Sequence, residues 1–191
     1  EQVRTAQYSF QSVAPGTAPP PCPCALKTVV LASTATEDGT VSPLVAYEST
    51  MPMIGDIGNY GGGEAWRAIY SFDTSSIPAS ARIVSAKLQV CLGFSSGSAH
   101  TVAADVNEGA LGTAPRLETA DYSARATVPS AVTFGLPSAN GDWSDADLPA
   151  TTFPAVTSGL VQVRLREAAV GGTNPSMAGF SAAQLVVTYQ P

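Results

Sequence analysis

The chain has 191 residues, nine Lys and Arg against fifteen Asp and Glu, a net charge of −6, and only 13% charged positions. Its cations are scattered singly, which excludes a basic patch for nucleic-acid phosphates or acidic lipid, and no apolar run nears the roughly 18 residues of a membrane-spanning helix. With 45% apolar residues and so few charges, part of the surface is expected to be covered by a partner.

The first segment, "EQVRTAQYSF" (1–10), alternates. Ala6, Tyr8 and Phe10 share one face, while Thr5, Gln7 and Ser9 share the other, which is the pattern of a strand with one sticky side. Five of the nine residues from Pro15 to Pro23 are proline, so this strand cannot run on into the next one. Residues 1–12 read as an arm, 13–26 as a stiff spacer and 27–191 as a domain. Fully extended, the decapeptide spans about 33 Å, and the twelve residues Val13–Cys24 reach about 37 Å as polyproline.

Beyond the spacer the chain reads as short strands divided by turns. "KTVVLAS" (27–33) is β-branched and apolar, and "GTVSPLVAYES" (39–49) is strand-like on both sides of Pro43, whose missing N–H suggests an edge or bulge. Five glycines between Gly55 and Gly63 make a loop. "WRAIYSFD" (66–73) places Trp66, Ala68, Tyr70 and Phe72 on one face. "RIVSAKLQVCL" (82–92) is the clearest period of two, with Val84, Ala86, Leu88, Val90 and Leu92 inward and Ser85, Lys87, Gln89 and Cys91 outward. "HTVAADVNE" (100–108) follows. Residues 109–148 blur into loops and short strands around an Asn140-Gly141 turn signal, before the strands "GLVQVRLREA" (159–168) and "AQLVVTYQ" (183–190). No segment has the caps and periodicity of an amphipathic helix. The expected fold is an all-β, jelly-roll-like β-sandwich with an extended N-terminal strand and Pro-rich spacer.

"RAIYSFDTSSIPASARIVSAKLQV" (67–90), with the closing "PSMAGFSAAQLVVTYQP" (175–191), resembles the DNRLRE-type secreted modules. Their hallmark is an Arg, an apolar strand ending in Phe-Asp, a Ser-Ser-Ile-Pro turn, and Ile-x-Ser-Ala-x-Leu opening the next strand. The resemblance spans roughly 28–191 and implies a β-sandwich of a secreted or cell-surface protein, carbohydrate-binding in some members. This chain has "DVNEGALG" where those modules usually carry a Trp, and the module stands nearly alone, which shifts weight towards a structural role. The motif also reads physically: Phe72 is core, Asp73, Ser75 and Ser76 form a turn, and Pro78 sets up the next strand.

Chemistry is sparse. The lone His100 has no Ser, Cys or Asp arrangement to serve, and the acids are mostly isolated, so an enzyme is not expected. Asp142, Asp145 and Asp147 around Trp143 offer oxygen ligands for a structural calcium, without the spacing of an EF-hand loop; no other cofactor is expected. Tyr60, Tyr122 and Trp143 are the candidate glycan contacts. One of Cys22 and Cys24 is expected to bridge to Cys91 in an oxidising compartment, leaving the other free or linked to a second chain; three reduced thiols are the alternative. A start at Glu1 is what signal-peptide removal would leave, and it suggests an extracellular or cell-surface protein. Two roles fit. In the first, the arm is donated to a neighbour's sheet edge, anchored by Ala6, Tyr8 and Phe10, and copies join head-to-tail into a filament or surface layer. In the second, the domain is a carbohydrate-binding module that meets a polysaccharide.

Overall fold

Residues 25–56, 65–97, 101–168 and 176–191 are described by the computed structural model. They form eleven strands: β1 (Lys27–Ala32), β2 (Gly39–Val41), β3 (Ala46–Glu48), β4 (Met53–Asp56), β5 (Ala65–Asp73), β6 (Arg82–Ser96), β7 (Thr101–Glu108), β8 (Val128–Gly135), β9 (Trp143–Leu148), β10 (Leu160–Glu167) and β11 (Ser176–Gln190). Among these residues the only α-helix is one turn, α1 (Phe153–Val156).

Strands β4-β11-β6-β9 make one layer and β5-β10-β7-β8 the other, all in antiparallel pairs. From β4 to β11 the chain wraps between the layers as a jelly roll does. The sheets join where Gly55 and Asp56 of β4 pair with Trp66 and Ala65 of β5. At the opposite corner the Ser144 hydroxyl donates to the Gly135 carbonyl at 2.9 Å, so the sheet is nearly closed. Strand β1 is added beside the second half of β11, and the β2–β3 hairpin beside β5. The jelly-roll sandwich expected from the sequence is the fold observed.

Alternation builds the core. Ala86, Leu88, Val90 and Leu92 of β6 face Tyr70 and Phe72 of β5, Val161, Val163 and Leu165 of β10, and Leu185 and Val187 of β11, all buried. A fully buried apolar side chain of this kind contributes about 1.5–3 kcal/mol. The 73–78 turn closes as its residues dictate: Asp73 Oδ1 accepts the Ser75 N–H at 2.9 Å, the Ile77 N–H donates to the Thr74 carbonyl, and Ile77 caps the core. Pro43 lies inside the β2–β3 turn, where the Ser42 N–H donates to the Val45 carbonyl at 2.8 Å and Ser42 Oγ accepts the Leu44 and Val45 N–H groups.

Three expectations are corrected. Val84 points outward, 49% exposed, because the register slips between Thr188 and Tyr189: Ser85 pairs with Thr188 and Ile83 with Tyr189. The bulge leaves Val84 unpaired and sends it to the outer face. Cys91 is buried, a free thiol whose Sγ lies 3.4 Å from the Gly141 carbonyl; it does not stand open on the outer face. Asp145 and Asp147 belong to a strand rather than an acidic loop, since β9 begins at Trp143 and alternates strictly.

Candidate functional site

The feature that departs from a closed sandwich lies on the β1 side. Strand β1 follows β11 only as far as Ala32, and β4 meets β11 only from Ser176 to Gly179. Between them, β11 residues 180–183 have no strand of the described residues on that edge. Single hydrogen bonds cover part of the gap: Ser33 N–H to the Ala183 carbonyl at 3.2 Å, and Phe180 N–H to the Pro52 carbonyl at 3.0 Å. Bulges at Gly179/Phe180 and Phe180/Ala182 bend β11 at this point. The result is a breach in the sheet, a cavity of about 340 Å³, within the range of small-ligand pockets.

Small residues form its walls, including Ala32, Ala35, Ser49, Ala182 and Ala183. Two polar groups form its floor. Pairing of β2 with β5 starts at Gly39↔Ile69, so Asp38, one residue earlier, falls opposite Tyr70 and continues the ladder with its side chain. Asp38 Oδ1 accepts the Ser71 N–H at 3.0 Å, and the Thr34 N–H satisfies the Ser71 carbonyl at 2.8 Å. The next residue has to be glycine: a methyl on Gly39 would overlap the Tyr47 carbonyl and the Leu117 side chain. The Tyr70 hydroxyl crosses the core to the Phe180 carbonyl at 3.4 Å.

Burial dominates the electrostatics. It pushes the Asp38 carboxyl up to about 6, with Glu37 adding repulsion while hydrogen bonds from Ser33 and the Ser71 N–H oppose the shift. Tyr70 is driven well above its ordinary range, first by burial and then by Asp38 and Cys91. A buried acid at the floor of a pocket with small-residue walls, already holding Ser33 and the Ser71 N–H, has acceptor capacity left for a ligand's donor.

A second polar cluster has a structural task. On the outer face of the β5-β10-β7-β8 sheet, the Nη2 and Nε groups of buried Arg164 both donate to Asp105 Oδ2, at 2.7 and 3.0 Å, and its Nη1 donates to the carbonyls of Asp121, Tyr122 and Ala124. Gln162 binds the Leu111 N–H, the Pro115 carbonyl and Ser71 Oγ. Arg67 stacks over the Tyr122 ring at 3.9 Å and donates to the Tyr122 carbonyl. Together they fasten the 109–127 segment over a small second core of Val41, Ile69, Leu111 and Ala126.

The expected site residues scatter. Tyr122 has one ring face occupied by Arg67, which removes that face as a sugar platform. Trp143 is 44% exposed on the outer face of β9. Beside it, Asp145 binds Lys87 at 3.1 Å and Gln89 at 2.7 Å, and Asp147 lies 3.8 Å from Lys87. Lys87 and Gln89 thus engage both carboxylate oxygens of Asp145. Among the described residues no group of three or more His, Cys, Asp or Glu is placed to hold a metal ion. The arm residues Ala6, Tyr8 and Phe10, together with Cys22, Cys24, Tyr60 and His100, lie outside the described residues. Sequence reasoning missed Asp38, whose "TEDGT" setting reads as an ordinary turn, and took Tyr70 for plain core.

The sequence matches no protein-family model and no curated protein. Among the described residues no helix is long and apolar enough to cross a membrane.

Proposed function

We propose that this protein is a structural subunit of an extracellular filament or surface assembly, built by donation of the N-terminal arm to a neighbouring copy. The observation that carries this reading is β1. Among the described residues it pairs on one side only, with β11, and it follows directly on the proline spacer. It exposes Val30, and Leu26 just before it, at more than half of their surface. Open strand edges are templates for strand addition, and natural folds usually blunt them with charge, proline or a covering segment. Here Lys27 is the one charge in the strand. The tip of the β2–β3 hairpin adds exposed Leu44 and Val45, so apolar surface and an open edge accompany an unusually small share of charge. The DNRLRE-like stretch at 67–90 agrees with a secreted setting.

Deleting residues 1–12 tests the reading. Negative-stain microscopy and light scattering should show filaments or large oligomers for the full chain and folded single subunits for the deletion. Assembly that survives the deletion overturns it.

Trp143 favours a second reading. Its exposed indole lies on the outer face with Asp145, Gln89 and Gln184, where Gln184 donates to Gln89 at 2.6 Å and Gln89 to Asp145 at 2.7 Å. A flat polar ladder beside one aromatic ring is a surface on which a polysaccharide could lie. Retention on insoluble polysaccharide, abolished by Trp143→Ala, would support the binding-module role.

A further inference from the structure

We propose that the breach between β1 and β4 is the acceptor socket of the assembly: the Tyr8 side chain of a second copy of this chain enters it, with its hydroxyl donating to Asp38. The inference rests on the strand-donation reading and deepens it by naming where the arm goes and which residue anchors it.

Chemistry selects the occupant. The socket is walled by alanines and serines, so its walls offer apolar contact and little steric resistance to a flat ring. Its floor holds a carboxylate, 5% exposed, which accepts the Ser71 N–H and a Ser33 side-chain hydrogen bond and keeps lone pairs for a further donor. A ring carrying one donor at its tip matches that combination. Of the two aromatic residues in the arm, only Tyr8 has such a donor. Phe10 would seal the carboxylate further from water without bringing it a donor, a cost that the Tyr8 hydroxyl avoids. Arg4 lies on the same alternating face, but it would bring a long charged stem and no ring to fill the walls.

Chain geometry selects a neighbour. The 24 residues preceding Ala25 enter the fold at the start of β1, whereas the breach opens at its far end, beyond Ala32. The six residues between span about 20 Å. A polyproline spacer of about 37 Å would have to leave the fold and turn back along β1 to reach its own socket. Extended, it carries Tyr8 away to another copy. Met51, exposed between the cavity-lining Thr50 and Pro52, provides apolar rim for the rest of the inserted face. The donor is the arm and the acceptor a different surface, so each joined copy keeps one of each and the contact propagates.

The test uses the full chain with the photo-crosslinking amino acid benzoylphenylalanine in place of Tyr8, mixed from light and heavy-isotope preparations. Irradiation followed by peptide mapping should join position 8 to residues 32–52 or 180–183 in light–heavy pairs. Crosslinks confined to other surfaces of a neighbour, or found only within one chain, overturn the socket. In the first of these cases strand donation would survive, because assembly would still depend on residues 1–12. Oligomers that persist in the 1–12 deletion sink both ideas. Point variants give an independent reading. Tyr8→Phe should weaken subunit association roughly tenfold or more, the loss of one hydrogen bond to a charged acceptor. Tyr8→Phe combined with Asp38→Asn should lose little beyond the worse single variant. Fully additive losses in that cycle would mean that the two side chains never meet.

Discussion

Replacing Asp38 with asparagine should stabilise the isolated subunit at neutral pH and leave it nearly unchanged in acid. In the unfolded chain the carboxyl releases its proton near 3.8, and in the fold near about 6, so between those values the folded state binds the proton more tightly. Stability from this group is therefore fully present below about 3.8 and is lost as pH rises through about 6. The difference of those two values, at about 1.4 kcal/mol per pH unit, sets a ceiling of about 3 kcal/mol. The cavity is open to water, and screening reduces this to about 1–2 kcal/mol. Asparagine keeps an oxygen for the Ser71 N–H and offers its amide to the Ser33 hydroxyl, so geometry is retained while the charge goes. Glu37 and Tyr70, the neighbouring titratable groups, are present in both proteins, as is Asp121, which burial also raises, and their contributions cancel in the difference. Urea unfolding of both proteins under conditions that keep them unassembled, at pH 4, 5, 6, 7 and 8, should show Asp38→Asn gaining about 1–2 kcal/mol between the ends of the series. A gap that stays constant across pH refutes the argument.

Arg164→Met should cost about 3 kcal/mol, because it leaves the buried Asp105 carboxylate only the more distant Arg166, at 3.7 Å, as a cation and frees the Asp121 and Ala124 carbonyls of the 109–127 segment. Adding Asp105→Leu should recover part of that loss in chemical denaturation, and faster amide exchange across 109–127 would locate the damage. Gly39→Ala should cost about 1–3 kcal/mol, since the obstructing Tyr47 carbonyl is backbone and cannot rotate away; a neutral result in thermal melts would contradict the close approach. The Cys91 thiol, 8% exposed, should react with Ellman's reagent at least about 100-fold more slowly in the native protein than in urea, where thiolate access returns. If arm insertion couples to folding, assembled material at 100 times its dissociation constant gains about 2.7 kcal/mol. Its Tm should then exceed that of the 1–12 deletion by roughly 5–10 °C, and a Tm independent of subunit concentration would count against it.

The sandwich was legible because both of its long inner strands carry a strict period of two. Leu88, Val90 and Leu92, like Leu185 and Val187, could face only one way once paired. The failures follow from features that alternation does not encode. Val84 obeys the pattern in sequence, and a bulge against Thr188 and Tyr189 overrides it, since one extra residue flips everything beyond it. Gln162 and Arg164 alternate with Val161, Val163 and Leu165 along β10, yet both are buried, because a segment some 40–50 residues away folds over them. Their polarity is spent on its backbone carbonyls. A long covering segment leaves no periodic trace, only an arginine with nowhere to be solvated.

The breach was illegible for a related reason. It is defined by where strands stop: β1 at Ala32, β4 at Met53, β2 at Gly39. None of these ends has a composition of its own. What can be read in hindsight is the sequence Asp38-Gly39, an acid placed one residue before a glycine that backbone crowding demands. That order keeps the carboxylate in the ladder at Ser71, on the core side, where burial raises its proton affinity. A fold selected only for stability would place an amide or an apolar residue there, because the ionised acid opposes folding at neutral pH and its one backbone partner could be met by either oxygen. Keeping the charge makes sense where a donor arrives from outside. The β1 edge, open among the described residues, leads to this breach, so one partner inserted there would bring a further donor to the buried acid, pair the edge and cover the exposed apolar residues together.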